Sequence, residues 1–381
     1  MKVDAERLAQ EFVTLCEIES PSRHEGRIAR YLQQVLKELG ADVVLEDDST
    51  AHTGSECGNL LVRFAGSLPL APIFFNCHMD TVPPTKGIKV QRSGDLFTSS
   101  GDTILGSDDK SGLVACIEAM RVLRENNTAH RPVEFLFTTC EEIGLMGAKA
   151  FDVELLRAQE GYALDSTGFA KVITHAPAAN KLHIHVSGVA AHAGLHPEWG
   201  VNAIVLAAKA LAEIPCGRID EESTVNFGII QGGVAANIVP EKVVINGEVR
   251  SHDPVKLKQL TQTITDRFVN TARHWTDPTG AARGKPRIEV RVEEDFPAMA
   301  LAADSQVIRR IAQAATAIGI ELSYEKAGGG SDANIFNGRG LATAIVATGM
   351  TNVHSTNERV ELGDMVSLTK LILALLTEVD C

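Results

Sequence analysis

The sequence predicts an α/β fold: a mostly parallel sheet sandwiched by helices, with a smaller ferredoxin-like βαββαβ domain inserted into it. Three observations carry this. Short apolar runs alternate with helix-period stretches in the first and last parts of the chain, the pattern of a parallel sheet with crossover helices. The middle of the chain instead runs strand, helix, strand, strand, helix, strand. A length of 381 residues, 44% of them hydrophobic, is enough for a large core and about two or three domains.

Each element has its own signal. Ser22-Arg23-His24-Glu25 has the spacing of a capping box and opens a helix that runs to Leu39, where Gly40 stops it. Three apolar runs, 73–77, 133–138 and 162–164, read as buried strands. Between the first two, Leu113, Ile117, Met120 and Leu123 recur at helical spacing and predict a helix over 111–125. Residues 181–186 alternate like a half-buried strand. A helix over 201–214 follows, then strands near 224–230 and 243–250, a long helix over 254–274 and a strand over 287–292. The α/β pattern resumes with a helix over 305–318, a strand over 342–347 and a helix over 364–379. The expected domains are therefore 1–177 plus 295–381, discontinuous, and an insert of 178–294. No internal repeat or low-complexity segment interrupts them.

Composition narrows the function. A net charge of -13 argues against a nucleic-acid partner, because a phosphate binder carries a basic face. A charged content of 22%, with ample Leu, Ile and Val, excludes a largely disordered chain. The polar start from Met1 to Arg7 lacks the apolar stretch of a signal peptide, and no apolar run approaches the ~20 residues of a membrane span. The seven cysteines form no Cys-x-x-Cys pair and read as reduced thiols. The expectation is a cytoplasmic protein with no membrane partner. Cys77 and Cys140 adjoin chemistry-bearing residues, but read as small apolar strand residues rather than nucleophiles.

Clusters of acid and histidine fall at or just after the carboxyl ends of the predicted strands, the edge where open α/β sheets hold ligands. They are His78-Met79-Asp80, Glu141-Glu142-Ile143-Gly144, Asp165, and His354 within Asn-Val-His-Ser-Thr-Asn-Glu (352–358). Gly106-Ser107-Asp108-Asp109-Lys110 stands at a helix entry. Singly, each has an ordinary structural explanation, as a satisfied histidine or a solvated acid pair. Converging on one sheet edge, they need a counter-charge, since packed carboxylates repel and shift their pKa upward. Mixed imidazole and carboxylate donors suit zinc, with Co2+ or Mn2+ as alternatives. A carboxylate two residues past His78 is placed to fix its tautomer.

The series HMDTVPP, GSDDKSG, EEIGLMGAK, GYALDS and NVHSTNE, in that order, resembles the co-catalytic zinc metallopeptidase family. That family includes peptidase T, carboxypeptidase G, the aminoacylases, acetylornithine deacetylase and succinyl-diaminopimelate desuccinylase. The Asp-Asp-Lys form of the second motif and Gly-Gly-Gly-Ser-Asp-Ala-Asn (328–334) are most similar to the peptidase T branch. The resemblance implies two Zn2+ per subunit in a catalytic metallopeptidase domain, 1–177 plus 295–381. Asp108, at the family's Asp-x-Lys position, would bridge them. His78 and Asp165 would complete one site, and Glu142 and His354 the other. Glu141 would be the general base and Asp80 would orient His78.

The insert, 178–294, would be a lid and dimerisation domain. In it, His192 of Ala-His-Ala-Gly (191–194) resembles the family histidine that stabilises the oxyanion, often in a neighbouring subunit's site. Its alternative is a surface-loop histidine. Asn237 and Arg250 resemble residues that hold polar groups of the substrate, Arg250 through its bidentate fork. Arg250 could equally be a structural ion pair. Gly329, Gly330, Ser331 and Asp332 could offer backbone N–H groups to substrate, or form a plain turn. His183 and His185 read as structural. The function implied is a dinuclear zinc peptidase of short peptides, most like a tripeptide aminopeptidase and acting as a homodimer. Another amidohydrolase of the family, a carboxypeptidase or an N-acyl amino acid deacylase, is the alternative. No Gly-x-Ser-x-Gly elbow points to a serine hydrolase.

Overall fold

A computed structural model describes residues 1–377. The chain divides into two compact units, Met1–His175 with Met299–Cys381, and Ala176–Ala298.

The larger unit is α/β, with a nine-stranded sheet. Its centre is four parallel strands in the spatial order Val133–Thr138, Ile73–His78, Glu160–Ser166 and Ala342–Ala347. The first two are buried along their whole length, as parallel strands covered on both faces must be. Antiparallel strands extend the sheet at both sides, Leu60–Phe64 beside Val133–Thr138 and Lys171–Ala176 beside Ala342–Ala347. The helix Ser107–Glu125 packs on Ile73–His78 and against the helices Ala5–Glu17 and Leu362–Thr377, which accounts for its near-total burial. Residues 378–379, expected to end the last helix, lie outside the described residues.

Two features differ from expectation. Ala5–Glu17 is a helix that the composition of the first residues did not suggest. Asp4 caps it by accepting the Arg7 N–H, and Leu8, Phe12 and Leu15 line its buried face. The capping box at 22–25 does not form. The helix begins at Gly26 with no side-chain cap, because both box residues are engaged elsewhere. The Ser22 hydroxyl donates to Asp80 Oδ2, and the Glu25 carboxylate accepts N–H groups from Arg23 and Cys140.

The smaller unit has four long antiparallel strands in the spatial order Arg287–Phe296, Ala178–Ser187, Lys242–Ser251 and Ser223–Gly232. In chain order that is 4-1-3-2, with the helices Ala203–Ala212 and Pro254–Arg273 packed on the sheet. This is the arrangement of a ferredoxin-like βαββαβ unit. Its core holds Leu182, Ile184, Leu206, Ile245, Ile264 and Phe268. Asn202 and Asp253 cap the two helices through their side chains. Trp199 is held between the His196 ring, stacked at 3.6 Å, and the Arg283 guanidinium, 3.3 Å from the ring centroid. Trp275 packs against the core of the same unit.

The two edges of this sheet differ. Along Arg287–Phe296, Arg291 pairs with Glu293 and Arg287 with Glu289, all on exposed side chains. Among the described residues, the opposite strand, Ser223–Gly232, is paired on its outer side by Gly217–Arg218 at residues 224–225 and by no other strand. Beyond that pairing, Ile229 and Ile230 are exposed, as are Ile204, Val205 and Val234 in the same unit.

Candidate metal centre

The parallel strands deliver ligand-type side chains to one edge of the larger unit. His78 ends the strand Ile73–His78, and Asp165 stands near the end of Glu160–Ser166. Glu141 and Glu142 follow Val133–Thr138, and His354 lies beyond Ala342–Ala347. Asp108 opens the helix Ser107–Glu125 with non-helical backbone, after Gly106 at φ 79°. A left-handed residue there suits glycine and turns the chain toward the sheet edge.

The cluster is organised about one carboxylate. Asp108 Oδ1 lies 3.1 Å from His78 Nε2, and Asp108 Oδ2 lies 3.2 Å from His354 Nε2. Asp165 Oδ1 is 3.8 Å from the same His78 nitrogen. Glu142 Oε2 is 3.0 Å from His354 Nε2. Ligand atoms of His78, Asp108 and Glu142 all fall within 4.8 Å of one another. The structure thus brings together the five side chains expected as ligands.

Surrounding hydrogen bonds aim these groups. His78 Nδ1 donates to the Asp80 backbone carbonyl at 2.8 Å, which leaves Nε2 as the nitrogen facing Asp108. The Asp80 carboxylate is farther from that ring, 3.6 Å from Nδ1. It accepts instead from the Glu141 and Glu142 N–H groups and the Ser22 hydroxyl. The orienting acceptor for His78 is therefore the Asp80 carbonyl, and the Asp80 side chain braces the Glu141–Glu142 turn.

The electrostatics call for positive charge. Burial, and then the Asp108 charge, push the Asp165 carboxyl well above the usual range. Burial and Asp165 do the same to Glu141, and burial raises Glu142 despite its bond to His354. Burial works against the Asp108 charge, but His354 and His78 hold its pKa low. Hydrogen bonds to Asp108 and Glu142 push His354 up to about 10. Glu142 Oε1 is buried with no hydrogen-bond partner. An acceptor-rich set with an orphaned oxygen fits divalent cations, and its donor chemistry fits zinc.

The other expected residues have varied surroundings. Asp332 is buried, accepts from Thr138 Oγ1 at 2.5 Å, and has a pKa raised by burial to about 6. Ser331 is the N-cap of the helix Asp332–Gly338, accepting the Ala333 N–H. Gly329 and Gly330 are half-buried in the preceding turn. In the smaller unit, exposed His192 accepts the Gly194 and Leu195 N–H groups at Nδ1, so its Nε2 carries the hydrogen. Asn237 is exposed, and its carbonyl accepts the Ala193 N–H. Arg250 donates to Glu248 Oε2 at 3.0 Å, the ion-pair alternative. His183 bonds Asn246 across two strands.

Two supporting residues escaped the sequence reading. Buried Glu358 accepts from the N–H groups of Leu105, Gly106 and Asp108 and from the Ser107 hydroxyl, and so fixes the loop that presents Asp108. Its sequence signal is that it closes the NVHSTNE motif, four residues past His354, where the sequence reading gave it no role. Asn59 Oδ1 accepts the Thr139 N–H, and nothing in its local sequence marks it.

Comparison with known proteins gives a consistent match. The model of peptidase family M20/M25/M40 matches residues 74–378. The chain is 39% identical to the YqjE protein of Bacillus subtilis strain 168 over 99% of both chains. Among solved structures, aminopeptidase PepT from Bacillus cereus ATCC 10987 is similar with a TM-score of 0.88 and 38% identity, covering 98% of each chain. A tripeptidase from Staphylococcus aureus subsp. aureus Mu50 has a TM-score of 0.91 and 33% identity, again with 98% of each chain covered.

Proposed function

The chain belongs to peptidase family M20/M25/M40 as a peptidase T-like hydrolase, and from that premise we propose that it is a dinuclear zinc aminopeptidase releasing the N-terminal residue of short peptides, tripeptides foremost. The observation that carries the two-metal reading is the division of the Asp108 carboxylate between two histidines, one oxygen to each. A carboxylate facing two donor sets suits two cations better than one. His78 and Asp165 would hold one ion, Glu142 and His354 the other, and Asp108 both. Zn2+ fits this donor set best, with Co2+ or Mn2+ as substitutes. Bound there, the ions supply Lewis acidity, which acidifies water and polarises a carbonyl.

The chain's own residues perform the proton transfers. Glu141 is partly exposed beside the cluster, with its backbone held by Asp80. Its carboxylate takes a proton from the attacking water and returns it to the departing amine nitrogen. The asymmetric bonding of His192 leaves an Nε2–H donor, which suits it to an oxyanion. We assign it that role in a partner subunit's site. The apolar outer edge of Ser223–Gly232 supports a homodimer through the inserted unit, because an open apolar edge invites pairing while the charged opposite edge deters it.

A substrate screen tests the reading. Unblocked tripeptides should be cleaved, and N-acetyl amino acids and N-blocked dipeptides should not. Cleavage of the blocked compounds alone would mean a deacylase or carboxypeptidase instead. Glu141→Gln should retain metal but lose about 10²–10⁴-fold in kcat, and wild-type turnover in it would falsify the base assignment.

A further inference from the structure

Four successive backbone N–H groups after the strand Val133–Thr138 are each held by a buried side-chain acceptor from another part of the chain. Thr139 donates to Asn59 Oδ1 at 3.0 Å, and Cys140 to Glu25 Oε1 at 3.0 Å. Glu141 donates to Asp80 Oδ1 at 2.9 Å, and Glu142 to Asp80 Oδ2 at 3.2 Å. Asn59, Glu25 and Asp80 have no solvent exposure. Cys140 sits at φ 54°, a conformation that a side chain disfavours. The turn closes on itself through the Gly144 and Leu145 N–H groups on the Glu141 carbonyl, but the four N–H groups that lead into it are held by acceptors outside it.

Glu25 has a particular place among them. Its Oε1 also accepts the N–H of Arg23, which is itself at φ 75°, and the Ser55 hydroxyl donates to its Oε2. One carboxylate thereby ties together two left-handed backbone positions, on segments 115 residues apart at Glu25 and Cys140. None of the bonds made by Glu25 goes to His78, Asp108, Glu142, Asp165 or His354.

We propose that Glu25 is a positioning residue for Glu141: by holding the Cys140 N–H it fixes the backbone from which the Glu141 side chain projects. This rests on Glu141 being the general base. A base works only within hydrogen-bond reach of its proton, and misplacement by about 1 Å costs about 100-fold in rate. Glu25 itself exchanges no proton with substrate. Its contribution is an oxygen at the right distance, so reach matters and charge does not.

Two substitutions separate reach from charge. Glu25→Gln keeps the length and an amide oxygen for the Arg23 and Cys140 N–H groups, while its NH2 can donate to Ser55 Oγ. Glu25→Asp keeps the charge but withdraws the acceptor by one methylene. The expected order is unusual, with the amide better than the acid. Glu25→Gln should stay within about threefold of wild-type kcat, and Glu25→Asp should lose about 10–100-fold. In Glu25→Asp, KM and the affinity of the metal-free protein for Zn2+, measured by calorimetric titration, should each change by less than about threefold.

The reverse order, or wild-type kcat in Glu25→Asp, overturns the proposal. So does a fall in Zn2+ affinity that tracks the fall in kcat, since that marks general collapse of the turn. If Glu25→Asp does not fold, the folded Glu25→Gln protein decides: near-wild-type kcat supports the acceptor role, and a loss beyond about tenfold refutes it. Glu141→Gln is measured alongside. Activity in that variant means the base reading has failed. An inactive Glu141→Gln with a fully active Glu25→Asp means that only the positioning role has failed.

Discussion

Asp108 is the residue on which the centre turns, and its two oxygens give it a different expected phenotype from its neighbours. Asp108→Ala should lose both metal ions, whereas Glu142→Ala should lose one preferentially, as elemental analysis of purified protein can read out. Equal stoichiometry in the two variants would count against the bridging role. The titrating groups make a second prediction. Asp109, Glu141, Glu142 and Asp165 have raised pKa values in the metal-free fold, so the native state binds more protons than the unfolded chain. Stability then falls as pH rises above the unfolded carboxyl values of about 4. His78 and His354 are raised too, His354 to about 10. What they contribute is complete below about pH 6.5 and is lost as pH rises through their folded values. Asp108 acts oppositely, but only at the acid end. Between pH 5 and 9 the Tm of metal-free protein should therefore fall, and the gain in Tm on adding Zn2+ should grow. A gain that shrinks with rising pH contradicts the assignment. His78, Glu142, Asp165 and His354 were legible because they lie at or after strongly apolar runs that mark strand ends, and Asp108 because it stands in the GSDDKSG motif at a helix entry. Glu358 and Asn59 were not legible, since their partners lie about 250 and 80 residues away in sequence.

At the scale of elements, strongly apolar central strands were readable, and short edge strands and the first helix were not. The strands Val133–Thr138 and Ala342–Ala347 stand where their apolar runs predict. The helix Ser107–Glu125 starts four residues before its periodic stretch, because its first turn carries functional polar groups instead of an apolar face. The capping-box pattern at 22–25 misled, because burial beside the Cys140 turn gave those side chains better partners than their own helix. The helix Ala5–Glu17 was missed although its capping residue and 3.6-residue spacing are ordinary. Its weight in the core is testable. Phe12 is fully buried, edge-on to Phe97 at 5.3 Å, and Phe12→Ala should destabilise the protein by about 3–5 kcal/mol in urea unfolding. A cost under about 1 kcal/mol would mean that the helix is peripheral to the core.

At the scale of the whole molecule, the acid excess has acquired a partial explanation. Two divalent ions would move the formal charge from -13 to -13 + 4 = -9. Among the described residues, no helix is long and apolar enough to cross a membrane. Assembly is the open prediction. Ile230→Lys puts a charge on the apolar strand edge and should shift the protein to monomer in sedimentation at micromolar concentration. An unchanged dimer would mean that the interface lies elsewhere. If His192 serves a partner's site, mixing His192→Ala with Asp108→Ala subunits should restore activity that neither has alone. Absence of recovery would favour action within one subunit.

The packing of Trp199 between His196 and Arg283 has an optical consequence. The chain contains two tryptophans, Trp199 and Trp275, and both belong to the unit Ala176–Ala298. Its three tyrosines, Tyr31, Tyr162 and Tyr324, all belong to the other unit. Indole emission excited beyond the phenol band therefore watches the inserted unit alone. A denaturation curve followed by that emission will show, without any engineered probe, whether zinc added for the candidate centre also steadies the other unit.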